Sequence, residues 1–104
     1  MDKTIDFPKK EELVKTLREN EVSFAAIFGS RAKGTARPDS DYDILVDFNP
    51  DASVGYFKLF EIEDKVKEIL GPNVDFVTVG ALHHLMRDEV FQTMKVLYDN
   101  RKKR

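Results

Sequence analysis

The sequence predicts an α/β or α+β domain in which a small mixed β-sheet is backed by helices. Short apolar runs typical of strands alternate with longer segments whose apolar residues recur every three to four positions, as in amphipathic helices. Hydrophobic residues make up 41% of the 104 residues, which is enough for a packed core at the usual size of one domain. We therefore expect a single domain over residues 1–104, with a flexible C-terminal tail at about residues 100–104.

The first predicted helix covers DFPKKEELVKTLREN, with Asp6 as its N-cap and Pro8 in its first turn. Its apolar stripe consists of Leu13, Val14 and Leu17. The next segment, VSFAAIFGS, is apolar at both alternating sets of positions, which is typical of a central strand covered on both faces. Gly29 ends this strand, and a loop is expected after it.

The second predicted strand is YDILVDF, and the alternation of side chains assigns its residues to two faces. The mainly apolar face carries Tyr42, Ile44, Val46 and Phe48. The other face carries Asp41, Asp43, Leu45 and Asp47. Pro50 ends the strand. Two carboxylates, those of Asp41 and Asp43, are therefore expected to point the same way where this strand begins.

The second half of the chain predicts a helix, a strand and a further helix. The first of these, GYFKLFEIEDKVKEIL, ends at Gly71–Pro72. Its apolar residues at helical spacing are Leu59, Ile62, Val66 and Ile69. NVDFVTV is the third strand, with Asp75 and Val77 on one face. LHHLMRDEVFQTMKVLYDN is mainly helical, with a short strand near Val96–Tyr98.

Charge and composition exclude several classes of protein. The chain has 17 basic and 19 acidic residues, and its net charge of -2 argues against stable nucleic-acid binding. It has no cysteine, which excludes disulfides, thiolate metal sites and a cysteine nucleophile, and which fits a reducing cytoplasm. No apolar run approaches the roughly 20 residues of a membrane span, and the N-terminus lacks a signal core. We therefore predict a cytoplasmic protein without a membrane partner.

One stretch, FGSRAKGTARPDSDYDILVDF, first suggests a phosphate-binding P-loop. Gly29 and Gly34 have the spacing of its two glycines. A P-loop requires a lysine and then a serine or threonine directly after the second glycine, but Thr35 and Ala36 stand there. The stretch is therefore not a P-loop.

The same stretch also begins like an EF-hand calcium loop, with Asp39, Asp41 and Asp43 at alternate positions. Ile44 occupies the position of the turn glycine, and Pro50 occupies that of the bidentate glutamate. The residues after Asp43 have the pattern of a strand rather than a loop. An EF-hand is therefore also excluded.

Together, the two halves of this stretch have the chemistry of a nucleoside triphosphate site. Asp41 and Asp43 place like charges side by side, and a divalent cation such as magnesium or manganese would neutralise them. Gly29 allows close backbone approach, and nearby N–H groups with the Ser30 hydroxyl can hold a phosphate. Arg31 is the strongest candidate among the nearby basic residues for a further phosphate contact. A phosphate cradle beside a metal-binding carboxylate pair describes nucleoside triphosphate chemistry.

Gly29–Ser30, ten intervening residues and Asp41–Tyr42–Asp43–Ile44 resemble the signature of the DNA polymerase β-like nucleotidyltransferase superfamily. The segment GSRAKGTARPDSDYDILVDF is particularly similar to the minimal nucleotidyltransferases (MNT) of prokaryotes. The third acid of this family lies on a later strand between apolar residues, and Val74–Asp75–Phe76 matches that pattern. The resemblance covers nearly the whole chain and implies a polymerase β-like nucleotidyltransferase fold.

The resemblance implies roles for individual residues. Gly29 and Ser30 would bind the triphosphate tail of ATP. Asp41 and Asp43 would bind two magnesium ions, with manganese as an alternative. Asp75 would share one ion and would act as a base or orient the acceptor hydroxyl. The product would be a nucleoside monophosphate joined to an acceptor.

The resemblance also implies a protein partner. MNT proteins are commonly paired with HEPN-domain ribonuclease toxins, and the MNT antitoxin neutralises the toxin by transferring AMP from ATP to a tyrosine. We therefore predict a magnesium-dependent protein adenylyltransferase that acts as an antitoxin. Two alternatives stay open: a non-catalytic module that blocks its partner by complex formation, and a nucleotidyltransferase that acts on RNA or a small molecule.

Several other residues have simpler interpretations. Asp47 is expected to be a surface charge. His83 and His84 are adjacent on a predicted helix, so their side chains are expected to point in different directions at the surface. Any large apolar residue left exposed would mark a partner surface. Five such residues are expected in the core: Phe57, Phe60, Phe91, Met94 and Leu97.

Overall fold

The computed structural model describes Phe7 and residues 9–101. Asp6 and Pro8, assigned above to the start of the first helix, lie outside the described residues. The helices are α1 (Lys10–Glu19), α2 (Ser30–Lys33), α3 (Tyr56–Leu70) and α4 (His84–Thr93), and a 3-10 helix spans Val79–Ala81. The strands are β1 (Val22–Phe28), β2 (Tyr42–Phe48), β3 (Val74–Thr78) and β4 (Lys95–Asp99).

The four strands form one mixed sheet in the order β3-β2-β1-β4. The central strand β1 is antiparallel to both of its neighbours, β2 and β4. The edge strand β3 is parallel to β2, and α3 is the crossover between them. The mixed sheet expected from the alternation of apolar runs and helical segments is therefore confirmed.

Helices cover both faces of the sheet. On one face, α1 and α3 contribute buried residues such as Leu13, Leu17, Ile62 and Val66 to a core shared with β1 and β2. On the opposite face, Leu82 and Val90 pack with apolar residues of β1 and β2. All seven residues of β1 are buried, because this strand lies inside the sheet and beneath helices on both sides. We call the two faces the α1/α3 face and the α4 face.

Contacts to β1 secure the last strand and the residues after it. The buried Tyr98 hydroxyl donates a hydrogen bond to the Val22 carbonyl, and burial raises the pKa of this phenol. The Asn100 amide donates to the Ser23 carbonyl over 2.7 Å. The Arg101 guanidinium lies 4.0 Å from the centre of the Phe24 ring. Residues 102–104 lie outside the described residues, so a flexible tail stays a prediction for that part of the chain.

One difference from the predicted order is the short helix α2, which occupies the start of the expected loop. The amides of Ala32 and Lys33 both donate to the Gly29 carbonyl over 3.1 Å. Gly34 adopts the left-handed conformation, with φ of 79°, and ends the helix after a single turn. A four-residue helix is too short to produce a periodic apolar stripe, so the pattern could not indicate it.

The expectation that five large apolar residues lie in the core is partly wrong. Leu97 is buried and Met94 is partly buried, but Phe57 is 93% exposed and Phe60 56%, and Phe91 is also exposed. Ile62 faces the core, and Phe57 and Phe60 lie roughly 140° and 160° around the helix from it, at about 100° per residue. The apolar stripe of α3 is therefore too narrow to include them.

The prediction that His83 and His84 point in different directions is also wrong. Their rings stack, with centroids 4.8 Å apart and planes 20° from parallel. His83 is the extended N-cap of α4 rather than a helical residue, and its Nδ1 accepts a hydrogen bond from the Leu85 amide over 3.2 Å. The angular separation of helical neighbours therefore does not apply to this pair. Both side chains are exposed, as predicted.

Among the described residues, no helix has the length and apolar character needed to cross a bilayer.

Candidate active site

The sheet brings two of the predicted acids together. In the parallel pairing of β2 with β3, Asp43 and Asp75 are directly opposite each other. Each lies two residues before an apolar residue of the α4 face, Leu45 and Val77, and alternation therefore places both carboxylates on that face. Asp41 precedes β2 by one residue and is exposed. The predicted acids thus gather where β2 and β3 begin.

Gly29 lies against the central acid of this group. The antiparallel pairing of β1 with β2 places Phe28 opposite Asp43, so the chain reaches Gly29 directly beside that carboxylate. A Cβ atom added to Gly29 would lie 2.0 Å from Asp43 Oδ2, well inside any real contact distance. The glycine also has φ of 74° and ψ of -153°, a conformation that is essentially restricted to glycine. Residue 29 must therefore be glycine for both steric and backbone reasons.

Electrostatics indicate that the three carboxylates share one region. Burial raises the pKa of the Asp43 carboxyl above its ordinary value, and repulsion from Asp75 and then from Asp41 raises it further. Negative charges on neighbouring carboxylates repel one another, and this repulsion destabilises their ionised state unless a cation lies between them. Hard carboxylate oxygens are the ligands that magnesium and manganese prefer. The donor set of the site therefore suits a divalent cation.

The carboxylates do not yet point at one position. As the side chains are oriented, no three ligating groups in the described part of the chain converge on a point that could hold an ion. Asp41 and Asp75 are exposed, and exposed side chains change rotamer within picoseconds to nanoseconds. Binding of an ion at this site would therefore require rotation of side chains rather than movement of the sheet.

The short helix α2 carries the remaining predicted residues. Ser30 is its first residue and directly follows Gly29, next to the acids. The guanidinium of Arg31 lies elsewhere, 3.8 Å from the centre of the Tyr42 ring, which packs against the core of the α1/α3 face. A direct phosphate contact would require the guanidinium to leave this position, so phosphate binding by Arg31 stays a prediction.

An ion pair that the sequence did not indicate connects α2 with α4. Lys33 Nζ lies 2.8 Å from Glu89 Oε1, and this contact lowers the pKa of the glutamate. Both side chains are exposed, so the pair contributes little to stability. It nevertheless shows that the C-terminal half of α4 borders the side of the sheet that carries the acids. Residues 56 positions apart carry no shared sequence signal, which is why this pair could not be predicted.

A glycine turn against neighbouring carboxylates at one edge of a mixed sheet suits a protein that handles nucleoside triphosphates. The sequence model of the family described as "Polymerase beta, Nucleotidyltransferase" matches residues 11–103. The chain belongs to this nucleotidyltransferase family. It is also similar to the protein adenylyltransferase MntA of Thermococcus cleftensis, with 42% identity over 69 residues that cover 65% of this chain and 68% of the relative.

Two solved structures have a similar fold. One is a toxin–antitoxin complex with AMP-PNP, with a TM-score of 0.74 and 24% identity, covering 88% of this chain and 74% of the other. The second is a tri-AMPylated Shewanella oneidensis HEPN toxin in complex with an MNT antitoxin. Its TM-score is 0.66 with 22% identity, and the similarity covers 88% of this chain and 70% of the other. At these identities the structures show the shared fold alone, and the polymerase β-like fold expected from the sequence is confirmed.

Proposed function

We propose that this chain is a magnesium-dependent protein adenylyltransferase that neutralises a HEPN ribonuclease toxin by transferring AMP from ATP to one of its tyrosines. The observation that carries the proposal is the juxtaposition of Asp43 with Asp75 on one side and with Gly29 on the other. Further support comes from the similarity to the Thermococcus protein adenylyltransferase and to the two toxin–antitoxin structures, one with AMP-PNP and one with an AMPylated HEPN toxin.

The residues present divide the chemistry between them. Asp41, Asp43 and Asp75 would hold the metal, and bound magnesium would neutralise phosphate charge and lower the pKa of the attacking hydroxyl. Gly29 leaves room for the Asp43 carboxylate, and its backbone would approach the triphosphate closely. The Ser30 hydroxyl would donate to a phosphate oxygen.

The proposed transfer is a single displacement at the α-phosphorus of ATP. The tyrosine oxygen bonds to this phosphorus, and the bond from it to the leaving pyrophosphate breaks. Asp75 would orient the acceptor hydroxyl or take its proton. Its position opposite Asp43 and its exposure to solvent support this role.

This proposal predicts transfer of the α-phosphate and not of the γ-phosphate. When the chain is incubated with magnesium and the protein encoded by the adjacent gene, ATP labelled at the α-phosphate should label that protein. ATP labelled at the γ-phosphate should not, because the γ-phosphate leaves with pyrophosphate. Mass spectrometry of the partner should show the added mass of AMP on a tyrosine. Transfer of the γ label, or no transfer of either label, would contradict the proposed activity.

An exposed aromatic strip on α3 is our candidate for the partner surface. Its members are Tyr56, Phe57 and Phe60, which are neighbours at helical spacing and all largely exposed. Exposed aromatic side chains that form a contiguous patch typically mark a protein interface, and aromatic residues are frequent hot spots there. The strip begins after the far end of β2, so a partner bound there must be large enough to reach the acids at the start of that strand.

Phe57→Ser combined with Phe60→Ser is expected to weaken the complex with the partner by about 30-fold or more, since a single aromatic hot spot typically contributes about 2 kcal/mol or more. The measurement is a titration of the two proteins by calorimetry. Neither ring is part of the core, so the melting temperature of the variant should stay near that of the wild type. Leu85→Ser with Met86→Ser is the matched control, because these side chains are also exposed but lie on α4. Equal weakening by both double variants, or by neither, would remove the strip as the partner surface.

The strip also supports the alternative in which the chain blocks its partner by binding alone. The acid variants described in the Discussion separate this alternative from catalysis. A single domain over residues 1–104 and a cytoplasmic location stay predictions from the sequence.

A further inference from the structure

Arg31 occupies an unusual environment for a basic residue beside a proposed phosphate site. Its guanidinium lies over the face of the Tyr42 ring, at 3.8 Å from the ring centre. Its Nη2 donates to the Ser40 carbonyl over 2.8 Å, and the Pro38 carbonyl lies 3.4 Å from the same nitrogen. Its Nε is buried and makes no hydrogen bond to any of the residues that the structure describes. These contacts hold the planar guanidinium in one orientation. Stacking on an aromatic ring generally orients an arginine in this way.

The contacts of Arg31 end at the segment that carries the first acid. The Ser40 carbonyl belongs to the same rigid peptide plane as the Asp41 amide, so a bond to that carbonyl restricts the backbone of Asp41. The next residue, Tyr42, is held from the other side, because its amide donates to the Asn73 carbonyl at the start of the β2–β3 pairing. Asp41 therefore lies between one peptide held by Arg31 and another held by the sheet.

Two further hydrogen bonds among the described residues support the loop before Asp41. The Ser40 amide donates to the Arg37 carbonyl, and the Arg37 amide donates to Ser40 Oγ. Both of these bonds are internal to the loop and do not attach it to the rest of the domain. Arg31 provides that attachment, because it belongs to α2, which directly follows Gly29.

We propose that Arg31 is a positioning residue that ties the segment before Asp41 to the glycine turn, and so holds the metal-binding acids in register with the phosphate-binding element. The effect of Arg31 on metal binding rests on the proposed function, whereas its support of the loop does not. The guanidinium acts through the loop and contacts neither phosphate nor metal. Residues that orient the ligands of a metal without binding it themselves typically contribute about 10- to 100-fold to metal affinity.

The sign of the effect on metal binding separates this role from simple electrostatics. Removing a positive charge near a cation site reduces repulsion, so Coulomb's law alone predicts tighter binding of a cation to Arg31→Ala. Loss of a positioning contact predicts weaker binding. A direct phosphate contact predicts no change in the binding of a metal ion without nucleotide, and a higher KM for ATP.

The test measures binding of Mn²⁺ alone to the full chain, by its paramagnetic resonance signal, together with amide hydrogen exchange of the metal-free protein. In Arg31→Ala we expect the Kd for Mn²⁺ to rise about 10- to 100-fold. The amides of Ser40 and Tyr42 should exchange at least about tenfold faster, while the exchange of the β1 amides stays unchanged.

Arg31→Lys should resemble Arg31→Ala, because an ammonium lacks the planar fork that stacks on Tyr42 while donating to a carbonyl. Arg37→Ala, which removes an exposed charge from the same loop, is the control and should keep the wild-type Kd.

Two results would overturn the proposal. One is an unchanged or tighter Kd with unchanged exchange in both Arg31 variants, and the other is full recovery of the wild-type values by Arg31→Lys, which would indicate a role of charge alone. If Arg31→Ala does not fold, Arg31→Lys decides by the same two measurements. If the wild type does not bind Mn²⁺, the proposed function fails, whereas the exchange of Ser40 and Tyr42 still decides whether Arg31 holds the loop.

Discussion

Asp41→Asn combined with Asp43→Asn is expected to lower the transfer of AMP to the partner by about 10³-fold or more. Asparagine keeps the size of aspartate but removes the negative charge that holds a divalent cation. A single preorganised electrostatic group typically contributes about 10²- to 10³-fold to a rate, and this change removes two such groups. The measurement is the initial rate of labelling with ATP labelled at the α-phosphate, at saturating magnesium.

The loss of activity should occur without a loss of stability. Burial and repulsion from Asp75 and Asp41 already raise the pKa of Asp43, so the ionised acids repel one another in the metal-free protein. We therefore expect the free energy of unfolding of the double variant to equal or exceed that of the wild type. Added magnesium should raise the melting temperature of the wild type, because a ligand stabilises the state that binds it, but not that of the variant.

A charge-matched control shows whether the loss of activity is specific to Asp41 and Asp43 or follows from the removal of any two negative charges. Asp39→Asn with Asp51→Asn also removes two exposed carboxylates, one of them from the same loop, and should retain activity within about threefold. A double variant at 41 and 43 that still labels the partner would rule out the catalytic proposal. A variant that no longer labels the partner but still neutralises it fully would favour blocking by complex formation.

Gly29→Ala is the second change for which we expect a large effect, on both stability and activity. The backbone of Gly29 lies in a region that is essentially restricted to glycine, so alanine should lower the free energy of unfolding by about 1–3 kcal/mol. The new methyl group would also lie 2.0 Å from Asp43 Oδ2 and force that carboxylate to rotate away. Misplacement of a reacting group by about 1 Å can lower a rate about 10²-fold, and we expect a loss of this size.

Gly34→Ala is the matched control for this change. Gly34 also has a positive φ, of 79°, but apart from its chain neighbours no atom in the described part of the chain lies within 4 Å of an added Cβ. This variant should therefore lose stability, by about 1–2 kcal/mol, but keep transfer activity within about threefold when measured well below its melting temperature. Denaturant unfolding and initial rates test both variants. Equal losses of activity in the two would mean that strain in the loop, rather than displacement of Asp43, limits the reaction.

The parts of the site that could be predicted are those with a local pattern. Asp41 and Asp43 stand two residues apart at the start of a strand, and alternation alone places their side chains on one side. Gly29 follows a run that is apolar at both alternating sets of positions, which indicated that it ends a strand. Asp75 lies inside a short apolar segment and was assigned through the family resemblance, since a lone acid in a strand carries little information. Its position directly opposite Asp43 depends on the register of a parallel pair, which no local pattern determines.

The position of Arg31 shows what local pattern could not provide. Its sequence position, two residues after Gly29, suggested a phosphate contact. Its side chain instead reaches the opposite face of the sheet, because Tyr42 and the carbonyls before Asp41 form a site there for a planar cation. These partners lie 7–11 residues away along the chain, on the far side of a loop, and only the folded loop brings them to the guanidinium.

The sequence by itself determined the order of the strands and longer helices along the chain, the two faces of β2 and the family, because periodicity and short motifs are local properties. Tertiary structure decided the order of the strands within the sheet, the pairing of Asp43 with Asp75, and the exposure of Phe57 and Phe60. These features depend on how whole elements pack. The apolar character of Phe57 and Phe60 predicted a place in the core, whereas the rotation of α3 on the sheet, set by Ile62 and Val66, left both rings in solvent.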